Sequence, residues 1–400
     1  MPVDVYREAL ELHKELEGKL SVTLKAPIET KRDLSLLYSP GVAAPCLEIE
    51  ADPGHVYDYT IKGHTVAVIS NGTSVLGLGN IGAAASIPVM EGKAALIRRF
   101  AGIDSFPVVL DTEDPDEFVK AVTLMAPVFG AINLEDIAAP ACFDIEDRLK
   151  AALDIPVFHD DQHGTAIVVA AGLLNAARLT GRAMGDLRVV LNGAGAAGVA
   201  IAKLLDGFGV RHMIMCDTAG AIYEGRPARM NAMKEEIARM TNPERLSGPL
   251  KEVIRGADVF IGVSAAGALT PDMVRAMATD PIIFAMANPT PEIMPDEAKA
   301  AGARIVGTGR SDFPNQVNNI LAFPGIFKGA LSVRAKDVNE EMKRAAAEAI
   351  AALLGPGTLR EECVIPDPFD PRVAPAVARA VAEAAIRSGV ARRVAVCIEG

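Results

Sequence analysis

Two pairs of adjacent acids stand out in this chain of 400 residues: Glu135-Asp136 in AINLEDIAAP and Asp160-Asp161 in IPVFHDDQHGTA. Each pair follows an apolar run, so both fall near the carboxyl ends of strands, where open parallel sheets bind ligands. Adjacent acids in a helix are usually a solvated face. Here apolar residues flank both pairs, so like charges crowd a hydrophobic neighbourhood. A divalent cation neutralises such a group, and all-oxygen ligation favours Mg²⁺ or Mn²⁺ over softer metals. HDDQH also sets His159 and His163 four apart, as in the HExxH zinc site. That site needs both histidines on one helix with a glutamate after the first. In this chain Asp160 takes the glutamate's place, PVF reads as strand, and Gly164 suggests that the helix begins only afterwards. His159 and His163 are expected to support or pack.

A second kind of chemistry is written twice. Gly77, Gly79 and Gly82 in VLGLGNIG, and Gly193, Gly195 and Gly198 in NGAGAAG, both have the G-x-G-x-x-G spacing of a dinucleotide loop. Context separates them. DLRVVL runs almost directly into Gly193, GVAIAKLLDGFG continues with helical spacing, and the next strand, HMIMCD, ends in Asp217. A strand, a tight turn, a helix and a terminal acid for the ribose hydroxyls meet the whole requirement, with pyrophosphate at the helix N-terminus. The first loop is separated from its strand TVAVIS by NGTSVL, and no acid closes a second strand at the right distance. Its glycines are expected to permit close backbone packing or approach to a small substrate.

These residues need a scaffold, and the sequence supplies one. TVAVIS, FPVVLD and PVFGAINLED form one α/β unit, residues 1–159. ADVFIGVS, PIIFAMANP and ARIVGTG continue the alternation after Asp217, giving a Rossmann-type, doubly wound, mostly parallel sheet over residues 160–330. Residues 331–400, rich in Ala, Arg and Glu, read as helices packing back on the body. The fold class is thus α/β with two domains. A formal net charge of −11 argues against a nucleic-acid partner. The run AIVVAAGLLNAA is too short to span a bilayer, and MPVDVYREALELHKELEGKL reads as an amphipathic helix without the apolar core of a signal peptide. Cys46, Cys142, Cys216, Cys363 and Cys397 are odd in number and widely spaced. A small-molecule enzyme of the reducing cytoplasm, with no membrane partner, is expected.

The segments YSPGVAAPC, SNGTSVLGLGNIG, MEGKAALIRRFAGID, NLEDI, FHDDQHGTAI, NGAGAAG, ANPTPEI and TGRSDFPNQVNNILAFPG resemble, in order and spacing, the motifs of the malic enzymes, in particular the short-subunit bacterial and archaeal type. The resemblance covers nearly the whole chain. It implies metal-dependent oxidative decarboxylation of L-malate to pyruvate and CO₂ with reduction of NAD(P), residues 1–159 being the catalytic domain, and a homodimer or higher homo-oligomer. It makes Glu135, Asp136 and Asp161 the metal ligands, Lys93 the general base, Tyr38 the general acid and Asp160 a supporting carboxylate. Asn288 and Asn319 become substrate contacts. Thr165, Gly193, Ala194, Gly195, Ala196, Ala197, Gly198, Asp217, Ser264, Asn288 and Asn318 become cofactor contacts. Taken alone, Lys93 reads as a solvated helix lysine, Tyr38 as a turn residue with a buried ring, and Asn288 before Pro289 as a turn former.

The chain departs from larger relatives in having Ser74 where they carry an arginine for a substrate carboxylate, so the C4 carboxylate must find another partner. Asn71 and Asn80 replace frequent aspartates. Asp217 favours NAD over NADP because it repels a 2′-phosphate, with Arg226 in YEGR as the residue that could admit one. Two other functions use parts of the same set: a lyase converting malate to lactate, and a non-catalytic dinucleotide-sensing module that needs only the second loop.

Overall fold

The computed structural model describes residues 5–394; Cys397 and the ends of the terminal segments read above lie outside them. The first sheet contains β1 (Thr65–Ser70), β2 (Asp104–Val109), β3 (Ala131–Leu134) and β4 (Val157–His159), all parallel, in the order β2-β1-β3-β4. Every residue of β1, β3 and β4 is buried, as an unbroken apolar run covered on both faces requires.

The second sheet is built from β5 (Arg188–Asn192), β6 (His212–Asp217), β7 (Gly220–Ala221), β8 (Val259–Gly262), β9 (Ile282–Ala285) and β10 (Ile305–Thr308), in the order β10-β9-β8-β5-β6-β7. Only the short β7 is antiparallel. Chain order reverses between β5 and β8, which opens a crevice at the carboxyl ends of these two neighbours.

One helix joins the sheets. β4 ends at His159 and the helix Asp160–Thr180 begins at once. From Ala166 to Ala177 it is buried almost all round, between the helices Ala196–Gly207 and Glu340–Ala352. The expectation that this helix begins only after Gly164 is corrected. Asp160 and Asp161 occupy its first turn, where the helix dipole favours carboxylates. Gly164 belongs to that turn because a Cβ there would fall 1.9 Å from Asp160 Oδ1.

The helix Val373–Arg387 packs on both Phe323–Ser332 and Glu340–Ala352, and Glu340–Ala352 packs in turn on this central helix. At the other end of the chain none of residues 5–61 is buried. Among the described residues no helix is long and apolar enough to cross a membrane.

Candidate active site

Four elements deliver the acids and the lysine to one place. β3 releases Glu135 and Asp136 at its carboxyl end, and Asp136 takes a left-handed φ of 55° as the chain turns. β4 and the helix after it present Asp160 and Asp161. The helix Ala83–Ala101 brings Lys93 in from the side, buried rather than solvated. Lys93 Nζ lies 2.6 Å from Asp160 Oδ2 and 2.9 Å from Glu135 Oε1, with the Phe323 ring centroid 4.3 Å away. Asn319 Nδ2 donates to the same Asp160 oxygen. Glu135, Asp136 and Asp161 each turn one oxygen into a space where all three lie within 4.8 Å of one another. The backbone N–H of Asp136 donates to Asp161 Oδ2 at 2.8 Å and Asn133 Nδ2 to Glu135 Oε2 at 2.8 Å.

The electrostatics favour a cation among these acids. Burial first, and neighbouring acids second, push Asp136 up to about 8 and Glu135 up to about 7, Lys93 opposing the rise in both. Burial also raises Asp161 to about 6. Asp136 Oδ2 is buried with no hydrogen-bond partner. Two buried carboxylates and a half-buried one, with an orphaned oxygen among them, fit a hard divalent cation. Lys93 is the opposite case. Burial works against its ammonium, yet Asp160 and Glu135 outweigh burial and raise it. At 2.6 Å the Lys93–Asp160 contact is a charge-assisted hydrogen bond between ammonium and carboxylate.

The histidines are not ligands here. His159 closes β4 fully buried with both ring nitrogens unpartnered, and burial pushes it down to about 4, so it is neutral. His163 Nε2 lies 2.9 Å from Glu146. Glu146 also accepts from the His159 N–H and from Gln162 Nε2, tying down the start of the helix that carries Asp160 and Asp161. Neither Glu146 nor Asn133 is evident from sequence motifs. Asn133 could have been found from strand periodicity, since it shares a face with Glu135 two residues on.

The second glycine loop has a phosphate-binding form. Gly193 has a φ of 126°, and a Cβ on Gly198 would lie 1.9 Å from Gly193 O, so strand and helix meet there as backbone on backbone. Ala194 continues from Gly193 to Gly195, which faces open space, and the helix beginning Ala196-Ala197 has no side-chain cap, leaving its first N–H groups for an anion. Ser264 stands at the end of β8 and its Oγ accepts from Asn192 Nδ2 at 2.8 Å. Thr165 is half-buried on the central helix, and Asn318 caps the short turn Asn319–Leu321 through its Oδ1. Asp217 is already engaged: Arg226 donates to both its oxygens at 2.8 and 2.7 Å and Lys234 Nζ to one at 2.6 Å. Burial opposes its charge, but these cations hold the carboxyl well below its usual range. Arg229 Nη1 bonds Thr218 Oγ1 beside it at 2.6 Å. Sequence reading singled out Arg226 but neither Lys234 nor Arg229.

The first loop folds on itself, Ile81 and Gly82 N–H groups both donating to Gly72 O, and Ser74 N–H donates to Asp136 O at 3.0 Å. It buttresses the acid-bearing turn. Asn71 and Asn80 bond Thr112 O and Glu113, away from the acids. Tyr38 is not brought in. It ends the helix Lys31–Leu37 with its side chain 68% exposed.

Residues 17–150 match the family model "Malic enzyme, N-terminal domain" and residues 162–386 match "Malic enzyme, NAD binding domain". The chain is 64% identical over 385 residues to the bifunctional malic/malolactic enzyme of Bacillus subtilis, covering 96% of this chain and 94% of that one. It is 55% identical to the NAD-dependent malic enzyme of Geobacillus stearothermophilus, covering 94% of this chain and 78% of that one. The crystal structure of malic enzyme from Pyrococcus horikoshii superposes with a TM-score of 0.94 at 47% identity, covering 98% of this chain and 93% of the other.

Proposed function

The chain belongs to the malic enzyme family, and from that premise we propose how its own residues share the work. It is an oxidoreductase that decarboxylates malate oxidatively with a nicotinamide cofactor. The observation that carries the residue assignment is the convergence of Lys93, Asp160 and Asn319 on the acids Glu135, Asp136 and Asp161.

Lys93 accepts the C2 hydroxyl proton of malate. To do so it must first be neutral, and Asp160, in direct hydrogen-bond contact, is the group placed to take up and return its proton. Asn319 holds Asp160 in that orientation, and Asn288, on the turn after β9, contacts substrate and nicotinamide from the other sheet. A divalent cation held by Glu135, Asp136 and Asp161 would supply a Lewis acid for the substrate oxygens and oppose the ammonium form of Lys93 by like-charge repulsion. Tyr38 protonates C3 after the C4 carboxylate has left as CO₂.

Tyr38 does this for a second copy of the chain. Its surroundings support the reading: Leu34, Leu36, Leu37, Tyr38, Val42 and Leu47 are all exposed on a segment with no buried residue. A homodimer that covers this apolar face would carry the tyrosine to the partner's acids.

NAD is bound with its ribose hydroxyls at Asp217, and NADP is admitted as well, because Arg226, Lys234 and Arg229 counter the charge that would repel a 2′-phosphate. Cys46, Cys142, Cys216 and Cys363 are free thiols, in keeping with a cytoplasmic enzyme. The test is an assay with L-malate and Mn²⁺ that follows pyruvate and reduced cofactor together. Equal accumulation of both supports the reading, and malate loss without either removes it. The name of the 64%-identical relative favours one second reading, release of lactate as well; lactate accumulating without net reduced cofactor identifies it.

A further inference from the structure

Malate has two carboxylates, and the buried cluster holds one cation for them, Lys93, which is already engaged by Asp160 and Glu135. The acids around it would repel the second carboxylate. Residues 71–82, 135–140, 193–195, 263–270, 286–292 and 309–322 follow the carboxyl ends of β1, β3, β5, β8, β9 and β10, the ends at which open parallel sheets bind ligands. They contain one lysine or arginine between them, Arg310.

We propose that Arg310 binds the C4 carboxylate of the substrate and so selects a dicarboxylic 2-hydroxy acid; this rests on the malate reading above. Arg310 follows β10, its N–H donating to Thr308 Oγ1 at 3.1 Å and its Nη1 to Pro289 O at 3.3 Å. A Cβ on the preceding Gly309 would stand 3.0 Å from Asn288 Nδ2, and one on Gly77 would stand 2.8 Å from Asn288 O. The Gly77 loop in turn reaches the metal-site acids, Ser74 N–H donating to the Asp136 carbonyl at 3.0 Å. Contacts therefore run from Asp136 through the segment Ser74 to Gly77 and Asn288 to Gly309, beside Arg310. They tie the loop that carries Arg310 to the loop in which Ser74 supplies no charge.

The guanidinium is free to change partners. Its fork is closed on Asp312, Nε to Oδ1 at 2.8 Å and Nη2 to Oδ2 at 2.7 Å, and the two side chains are 35% and 55% exposed. An exposed pair of this kind holds its partner weakly, and a substrate carboxylate offers the same bidentate geometry.

The experiment titrates the enzyme, loaded with Mn²⁺ and reduced cofactor so that no turnover occurs, with L-malate and separately with oxalate, which has two adjacent carboxylates but nothing at the C4 position. Arg310→Gln should weaken malate roughly 10-fold to 100-fold while leaving oxalate and reduced cofactor within about 2-fold, with Arg310→Lys in between. Unchanged malate affinity in Arg310→Gln overturns the proposal. So does an equal loss for malate and oxalate, which would put Arg310 at the metal end, or a loss of cofactor binding, which would put it on the dinucleotide. Failure of the unaltered enzyme to bind malate while it binds oxalate and cofactor would instead count against the malate reading itself.

Discussion

At the level of single residues, burial decides what each ionisable group can do. Lys93 in MEGKA looks like a helix-surface lysine until the fold puts its ammonium 2.6 Å from a fully buried Asp160. Lys93→Ala should lower kcat for malate oxidation by about 10²-fold to 10⁴-fold, as loss of a general base does, with dinucleotide affinity unchanged in a direct titration. Turnover within a factor of about 3 of normal would take Lys93 out of the proton transfer. Asp217 shows the reverse lesson, because its charge is visible in the sequence but its partners are not. Arg226→Ala should leave Lys234 as the one cation on the carboxylate and shift the ratio of kcat/KM for NAD over NADP upward by roughly 10-fold, since a less neutralised acid repels a 2′-phosphate. A ratio that falls or stays constant would show that Arg226 does not set cofactor choice.

At the level of elements, the start of the helix Asp160–Thr180 is the part whose placement matters most, and it is held by a residue outside the reacting set. Glu146 is buried among His163, Lys343 and the His159 N–H. Burial works against its charge, but His163, Lys150 and Lys343 outweigh that and hold the carboxyl far below its ordinary range. Removing one partner of a buried charged set leaves the others unpaired, so Glu146→Ala should destabilise the protein by about 3–5 kcal/mol in chemical denaturation. A loss below about 1 kcal/mol would mean that the helix start does not depend on it. Strands, glycine turns and the acid-bearing ends of β3 and β4 were all legible in the sequence, because apolar runs and turn residues act locally. The exact start of this helix was not. Gly164 reads as a stop signal, and only the carboxylate of Asp160 folded above it explains why a glycine is needed inside the first turn.

At the level of the whole molecule, two collective properties can be tested. Glu135 and Asp136 sit near 7 and 8, above their unfolded values near 4. A carboxyl raised in the folded state binds more protons there than when unfolded, so its stabilising contribution is complete at low pH and disappears as pH rises through the folded value. The metal-free protein should therefore lose Tm between about pH 5 and 8, and Mn²⁺ should raise Tm far more at pH 8 than at pH 5.5. A Mn²⁺ effect independent of pH would contradict the three-carboxylate site. The second property is sharing of sites between copies. Mixing inactive Lys93→Ala with inactive Tyr38→Phe under conditions that exchange subunits should restore activity, because one site of each mixed dimer then has both groups. Absence of any recovery, with exchange verified by sedimentation, would place Tyr38 in its own subunit. The sequence by itself determined the α/β class, the strand, glycine turn and helix around Gly193 and the position of four acids at the ends of β3 and β4, since hydrophobic periodicity and glycine spacing are local signals. Only the tertiary structure decided that Lys93 lies among those acids, that Arg226 and Lys234 cover Asp217 and that none of the residues 5–61 is buried. Those are meetings of residues far apart in sequence, and charge pairing and burial across such distances exist only once the two sheets have packed.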